Sequence, residues 1–498
     1  MNFSSLSAVI DDDEKAQWPP IRLADRALLC GLMIFALAIP HSIAAANIGL
    51  GLSVLAWLAR DVARRRFQFR RTPLDWPLLC FAGLTLLSSL LSEDRDISLP
   101  KLKSLIVFGV IWLTVSNLSA RGVRLMVVLL IISGLAGVAW SLFEKITGRG
   151  MIVTAIRPDS PLAGSGLQTG DVICFIGRDR VHSIADTARL IGRLPAGRKV
   201  ELEALHAGDP MQLELIVTEA LKANPNPLGV SVDGRTRRFR VSGFSRHFIT
   251  YADQMQLLAL LCYGFVIVLL KRGRALTLQL TAAAVSFGLF SLALILTSSR
   301  AAMASFLLAL LIVSALAGSR RLVLATALIV LALGGTAYYT LISTRAATTG
   351  RFIDDSTSRR IGYMRAGLQV IPKHPLLGVG MDAHKRHWRE WGFPGDYITH
   401  THSTPIQLAM DRGLPALGCY IWLMAVMIVT VWRRFRWPSG AGDLIACALP
   451  LGVLGALLGF CAGSLVNYNF GDSEIVLLLL FAWALAFVAG EPINDAKS

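Results

Sequence analysis

The sequence has 498 residues, 54% hydrophobic and 16% charged, with a formal net charge of +16 and a mean hydropathy of +0.56. Long uncharged runs recur from end to end, which excludes an ordinary soluble chain and predicts an all-α polytopic membrane protein. The charge does not point to nucleic acid, because Lys and Arg sit mainly in short clusters between apolar spans.

Each crossing of about 30 Å of hydrocarbon needs about twenty apolar residues. The first apolar run starts only after "DDDEKAQWPP", so no cleavable signal peptide is expected. Candidate spans then fall near 27–40, 42–59, 75–92, 102–119, 123–143, 250–270, 275–297, 301–318, 321–343, 414–432, 443–466 and 474–490, giving about twelve transmembrane helices. The basic loops "RDVARRRFQFRR" (60–71), "SARGVR" (119–124), "KRGR" (271–274), "GSRR" (318–321) and "WRRFRW" (432–437) alternate, all on one side with the N-terminus. That side is predicted to be the cytoplasm. The other side receives "SEDRD" (92–96), an insertion at 144–249 and a polar stretch at 344–413. The expected organisation is therefore 1–147 (five spans, cytoplasmic N-terminus), 148–222 (inserted domain), 223–343 (four spans), 344–413 (outer loop) and 414–498 (three spans, cytoplasmic C-terminus). The seven cysteines lie nearly all inside apolar spans without a CxxC, so neither a structural disulfide nor a zinc site is expected.

Within the insertion, "IRPDSPLAGSGLQTGDVICFIGRDRVHSIADTARLI" and "GRKVELEALHAGDPMQLELIV" alternate short β-rich runs with turns around one helical stretch. A small β-rich domain of roughly 70 residues follows. Ser160-Pro161, Gly166-Leu167, Gly170-Asp171-Val172-Ile173 and Ile176-Gly177 resemble a bacterial PDZ domain over about 152–218. The resemblance implies capture of an extended peptide end by strand addition; a spacer or brace without a ligand is the alternative. Gly148 and Gly150 are the only nearby candidates for the glycine-rich carboxylate loop of such domains.

The polar chemistry concentrates in the outer loop. There an amphipathic segment (Arg359–Ile371) leads into Pro375-Leu-Leu-Gly-Val-Gly380, and "HTHSTPIQLAMDRGLP" closes the loop. A loop this long without an obvious core is usually functional or disordered, and its aromatic residues and Gly/Pro turns argue against disorder. Thr404 suits an N-cap and Pro405 the first helical turn, so a short helix is expected to start after the histidine pair and end near Gly413-Leu414-Pro415. Its positive end would favour an anion, phosphate especially, and bias His402 toward the neutral form, a candidate general base. His400 and His402 can instead be metal ligands, but no third His, Asp or Glu stands at convincing spacing; either can also be a purely structural hydrogen-bonding residue. Arg300, Arg359, Arg360, Arg237, Arg238 and Arg240 all fall at outer span ends or on the outer loop. Arginine suits phosphate by its planar fork and permanent charge, although such charges also serve as lipid-facing anchors.

Together "LDWPLL…LSSLLSEDRDIS" (74–98), "LTSSRAAMASF" (296–306), "SRRIGYMRAGLQVIPKHPLLGVGMDAH" (358–384) and "HTHSTPIQLAMDRGLPALG" (400–418) resemble the O-antigen ligase and polymerase superfamily of bacterial membrane glycosyltransferases. The ligase pattern of His, then Asn/Ser/Gln, nine residues and Gly is met by His402, Ser403 and Gly413. The resemblance implies metal-independent transfer of a glycan from undecaprenyl diphosphate, without nucleotide sugar or cofactor, at the periplasmic face of the inner membrane. For a ligase the acceptor is a hydroxyl of the lipid A core. By position, His402 would be the catalytic base or the group orienting the acceptor hydroxyl, Arg300, Arg360 and Arg240 the donor diphosphate ligands, and His400 and Ser403 the acceptor or support residues. Ser403 stands where Asn is frequent and Ala304 where Leu is expected, which leaves a polysaccharide polymerase open. A transporter would place its polar residues near the bilayer midplane, often in two related halves, and an intramembrane metalloprotease needs HExxH, which is absent.

Overall fold

The computed structural model describes residues 19–177, 179–206, 209–237, 239–245, 247–273, 277–318, 320–328, 330–332, 335, 355–395, 398–435 and 443–490. The chain forms two compact units, Met1–Gly137 with Phe244–Ser498, and Val138–Gly243.

The larger unit is helical. Its elements are α1 (Pro19–Ala38), α2 (Ile43–Ala63), α3 (Asp75–Leu91), the one-turn α4 (Arg95–Ser98), a 3₁₀ stretch Leu99–Phe108 that runs into α5 (Gly109–Asn117), and α6 (Ala120–Thr147), whose last turns enter the other unit. After that unit, which holds α7 and α8, come α9 (Phe248–Lys271), α10 (Leu278–Leu296), α11 (Arg300–Leu316), α12 (Asp355–Val370), α13 (Thr404–Arg434), α14 (Leu444–Ser464) and α15 (Ser473–Ala489). Seven helices among the described residues are long and apolar enough to cross a membrane: α2, the broken segment Arg95–Asn117, α6, α9, α10, α13 and α14. Three further apolar helices, α3, α11 and α15, are shorter. About half of the candidate span at 321–343 lies outside the described residues, so the number of crossings rests on the sequence pattern.

The packing follows from small residues and buried polar groups. A Cβ on Gly31 would lie 2.3 Å from Ser53 Oγ, and one on Gly264 would lie 2.4 Å from the Gly452 nitrogen. Small residues thus bring α1 onto α2 and α9 onto α14 at backbone contact, as apolar helices in lipid require. Inside the bundle, Ser305 Oγ donates to Gln256 Oε1 (3.2 Å) and Asn467 Nδ2 to Asp253 Oδ2 (3.2 Å). α15 is apolar all round and buried from Ile475 to Ala489, the signature of a central helix.

The smaller unit carries β1 (Met151–Ile156), β2 (Val172–Ile176), β3 (Asp179–Arg180), α7 (Ile184–Gly192), β4 (Lys199–His206), β5 (Asp209–Ile216), α8 (Glu219–Ala223) and β6 (Val230–Val232). The sheet runs β5-β4-β2-β1-β6 with antiparallel neighbours, and β3 pairs with β2. Val153, Leu162, Ile173, Ile191, Leu202, Ala204 and Val217 form its core, all fully buried or nearly so. The unit extends past the expected 222, because β6 supplies its edge strand. Gly148 and Gly150 do not form an open carboxylate loop. Both are enclosed, a Gly150 Cβ lying 2.6 Å from the Ile173 carbonyl oxygen. The turn Leu228-Gly229-Val230, with Gly229 at φ +60°, leads into the edge strand instead.

Candidate functional site

The polar stretch that leads into α13 has a core of its own, which its sequence did not announce. Tyr363, Ala366 and Val370 of α12 pack with Val379, Ala383, Trp388, Phe393 and Met410. Against this core the Gly378-Val379-Gly380 segment pairs with the end of the first part of α13: Val379 N–H donates to Met410 O (2.9 Å), Gly380 N–H to Asp411 O (2.9 Å) and Leu414 N–H to Pro375 O (2.8 Å). Gly413 makes this possible. At φ +83° and ψ 167° it breaks α13, and the Leu376 carbonyl oxygen occupies the space where a Cβ would sit, 2.1 Å away. The helix expected to end near Gly413 thus kinks there and resumes to Arg434.

The serines of "LSSLLSEDRDIS" hold the same segment. Ser88 Oγ donates to Asp411 O (2.9 Å), Ser92 Oγ to Val379 O (2.7 Å) and Ser98 Oγ to Met381 O (3.2 Å). The acids that follow clamp it from the side. Arg386 bonds Asp94 and also Asp96 (Nη2 to Oδ2, 2.6 Å), and His387 Nε2 lies 2.9 Å from Asp94 Oδ2.

The histidine pair sits at the start of α13. The cap position is Ser403, one residue before the expected Thr404, and it makes no side-chain capping bond. Thr404 turns to the α14–α15 connection, its N–H donating to Asn467 O (3.2 Å) and its hydroxyl bonding Asn467 O and Asn469 Oδ1 (3.1 Å each). Pro405 has no N–H. The helix N-terminus therefore offers less to an anion than the sequence suggested, since its first donor is engaged and its second is missing.

His402 has φ +54°, a left-handed conformation that costs a non-glycine residue about 1 kcal/mol or more and persists where surroundings impose it. Its N–H donates to His400 Nδ1 (3.1 Å), and the two ring centroids are 4.3 Å apart. Tyr363 stacks on His402 at 5.6 Å, and Tyr468 lies 5.4 Å from His400. His402 Nδ1 is buried without a hydrogen-bond partner. Burial, His400 and the Arg360 guanidinium push His402 down to about 3; burial, His384, Arg360 and Lys385 push His400 down to about 4. Both imidazoles are neutral at physiological pH.

Of the arginines chosen from sequence, Arg360 on α12 is close enough for its charge to act on both histidines. Arg300 opens α11, exposed, after a turn in which Ser298 has φ +54°. It stands five residues ahead of Ser305, whose hydroxyl would lie 3.5 Å from a Gly463 Cβ beside Asn469. Arg240 and Arg237 belong to the smaller unit, and Arg238 lies outside the described residues.

Sequence reasoning missed His384 and Asp411. His384 is fully buried, its Nε2 2.9 Å from Thr399 O and its Nδ1 3.5 Å from Asp411 Oδ1. Gln407 Nε2 donates to both oxygens of Asp411 at 3.0 Å, while Gln407 Oε1 accepts from Thr401 N (2.9 Å). Burial alone would lower the His384 pKa; the hydrogen bond and charge of Asp411 outweigh it and raise it. Asp382, His384 and Asp411 place ligand atoms within 4.8 Å of one another, a grouping able to hold a metal ion that includes neither His400 nor His402. Yet Lys101 (2.5 Å) and Lys385 (3.0 Å) already pair with Asp382, and Gln407 with Asp411. A cation would have to displace internal donors from both carboxylates.

The comparisons with known proteins match this division. Residues 285–421 match the O-Antigen ligase family model, and residues 127–217 match the PDZ domain model. The first match spans α11, α12 and the start of α13 with the histidine pair; the second begins inside α6 and stops short of β6. The chain is 36% identical over 69 residues to the magnetosome formation protease MamE of Magnetospirillum gryphiswaldense, covering 14% of this chain and 9% of that protein. It is 40% identical over 68 residues to a probable periplasmic serine endoprotease DegP-like of Pseudomonas fluorescens, 14% of each chain. The counterpart in Pseudomonas putida strain GB-1 is 32% identical over 89 residues, 18% of each. The chain thus spans less than a fifth of the length of these relatives, and the likeness reflects the PDZ domain. The resemblance read from the sequence is matched in both regions: a chain with several apolar helices carries an O-Antigen ligase domain match at 285–421 and a PDZ domain match at 127–217.

Proposed function

We propose that the protein is an O-antigen ligase, which moves a glycan from undecaprenyl diphosphate to a hydroxyl of the lipid A core at the periplasmic face of the bacterial inner membrane. The observation that carries the reading is His402: a neutral imidazole with an unpartnered ring nitrogen, in a strained backbone, beside Arg360 and at the head of the kinked helix of the family motif. In the transfer, the bond between the anomeric carbon and the phosphate oxygen breaks as the acceptor oxygen bonds to that carbon. The hydroxyl proton passes to His402, and the diphosphate leaves on its lipid.

Arg360 and Arg300 stabilise the leaving diphosphate, Arg240 is a further candidate, and His400 and Ser403 support the acceptor side. A pKa near 3 belongs to the site without substrate, where burial dominates, His400 adds to it and the Arg360 guanidinium repels a proton. The donor's negative charge neutralises that repulsion, so the base strengthens as the donor arrives. The reaction needs no cofactor or metal on this reading. The PDZ domain docks an extended peptide of a periplasmic or membrane partner by adding a strand at the β6 edge.

The test is deletion of the gene followed by gel analysis of envelope glycolipids and assay of undecaprenyl-linked glycan. Core lipid without long chains, with polymerised glycan stranded on undecaprenyl diphosphate, is expected. Core lipid carrying a single repeat would replace the ligase with a polymerase.

A further inference from the structure

The histidine site leaves a neighbouring cavity unused. It has a volume of about 150 Å³, and its lining includes Arg412, Lys101, Asp382, Asp411, Met381 and Tyr468 together with Phe81, Phe108 and Phe470. Tyr468 is common to both places, since its ring also lies 5.4 Å from His400.

Arg412 is only 5% exposed, and its Nε and Nη1 are buried without hydrogen-bond partners. Nη2 meets the Met381 thioether sulfur at 2.9 Å, Tyr468 is its other polar neighbour, and the Phe81 ring centroid lies 5.6 Å away. The two carboxylates of the lining are already engaged, Asp382 with Lys101 and Lys385, and Asp411 with Gln407 and His384. The lining itself carries two cations, Arg412 and Lys101, and two carboxylates, and Lys385, which pairs with Asp382 from outside the lining, adds a third cation to the group. A guanidinium stripped of water and left without an anion is unfavourable, and it is tolerated where a ligand supplies the missing charge. The rest of the wall is mainly apolar, with Phe81, Phe108 and Phe470 beside Leu105, Val107 and Val476, which suits a hydrocarbon attached to that charge.

We infer that this cavity binds the phosphate oxyanion of a phosphorylated lipid, with the Arg412 fork on the phosphoryl oxygens, Lys101 as a second cation and Phe81, Phe108 and Phe470 against the first carbons of the chain. The inference deepens the proposed reaction, on which the identification of that lipid with the polyprenyl diphosphate donor rests. Arg412 is then a donor-binding residue, next to the histidines through Tyr468.

The test uses the full chain in detergent, with farnesyl diphosphate and inorganic pyrophosphate as probes, followed by calorimetry and thermal unfolding. Farnesyl diphosphate is expected to bind the wild type and raise its Tm, and Arg412→Gln to weaken that binding at least tenfold, with Arg412→Lys between the two. Without ligand, Arg412→Gln should unfold at a higher temperature than the wild type, because the unpaired charge is gone; a purely structural arginine would give a lower one. Unchanged binding by Arg412→Gln, a lowered ligand-free Tm, or equal affinity for pyrophosphate and farnesyl diphosphate would each overturn the inference, the last by removing the lipid. Binding is read without transfer. Arg412-dependent binding in a protein that transfers no glycan would sink the reaction alone, and His402-dependent transfer with Arg412-independent binding would sink only this site.

Discussion

Replacing Gly413 with alanine strikes the joint on which the segment before α13 is built. The glycine occupies a region of backbone space essentially closed to other residues, and forcing a side chain there costs about 1–3 kcal/mol. The added Cβ would also meet the Leu376 carbonyl oxygen at 2.1 Å and the Leu376 carbonyl carbon at 2.4 Å. These are backbone atoms that cannot rotate away, so displacement adds about 1–3 kcal/mol. The sum, about 2–6 kcal/mol, is large against the marginal stability of a folded domain. Relief requires pushing Pro375–Gly380 off α13, and the Val379–Met410 and Gly380–Asp411 bonds with it. Gly418 is the control: it lies on the same helix with nothing within 4 Å of its Cβ position, so alanine there should be neutral or stabilising by up to about 1 kcal/mol. Thermal unfolding in detergent, with limited proteolysis between 371 and 403, measures both. Gly413→Ala as stable and as protease-resistant as Gly418→Ala would refute the reasoning about the kink.

Three further outcomes are expected. The raised His384 pKa means that its pairing with Asp411 stabilises fully below the ordinary value of 6.5 and fades as pH rises through the folded-state value; Asp411→Asn should cost about 1–3 kcal/mol and flatten that alkaline loss in pH-dependent unfolding curves. Because His402 is held near 3, kcat/KM for transfer should show no His402 inflection between pH 5 and 8; an inflection near 6.5 in the wild type would contradict the neutral, depressed base. In the PDZ unit, buried Glu144 pairs with Arg149 (2.7 Å) and with Arg180, so Glu144→Gln should destabilise that unit by about 3–5 kcal/mol, seen as faster proteolysis of 151–216 in the full chain.

The membrane character, the PDZ insertion and the histidine motif were legible because each is a local signal: apolar length, Gly-Asp-Val-Ile turn chemistry, or fixed spacing. Even the break at Gly413 was marked by its glycine and the nearby Pro415. What stayed hidden depends on contacts across hundreds of residues. Nothing local shows that Ser88, Ser92 and Ser98 cap carbonyls of 379–411, or that Asp94 and Asp96 receive Arg386. His384 and Asp411 meet only because the Gly378–Gly380 segment folds back along α13, so a spacing search around His400 and His402 could not find them. The Thr404 cap was misplaced by one residue because Asn467 and Asn469, far along the chain, compete for its hydroxyl. Arg412 carries no local signal in the sequence, and its meaning comes from its burial, with only 5% exposed.

The central claim is that His402 takes the acceptor proton in a transfer driven by Arg-bound diphosphate. Its most direct test is single-turnover transfer in proteoliposomes from undecaprenyl-diphosphate-linked glycan to lipid A-core, comparing wild type with His402→Ala. The expected result is transfer by the wild type and none above background by His402→Ala, with the variant still inserted and unfolding at a wild-type temperature. Near-normal transfer by His402→Ala would contradict it.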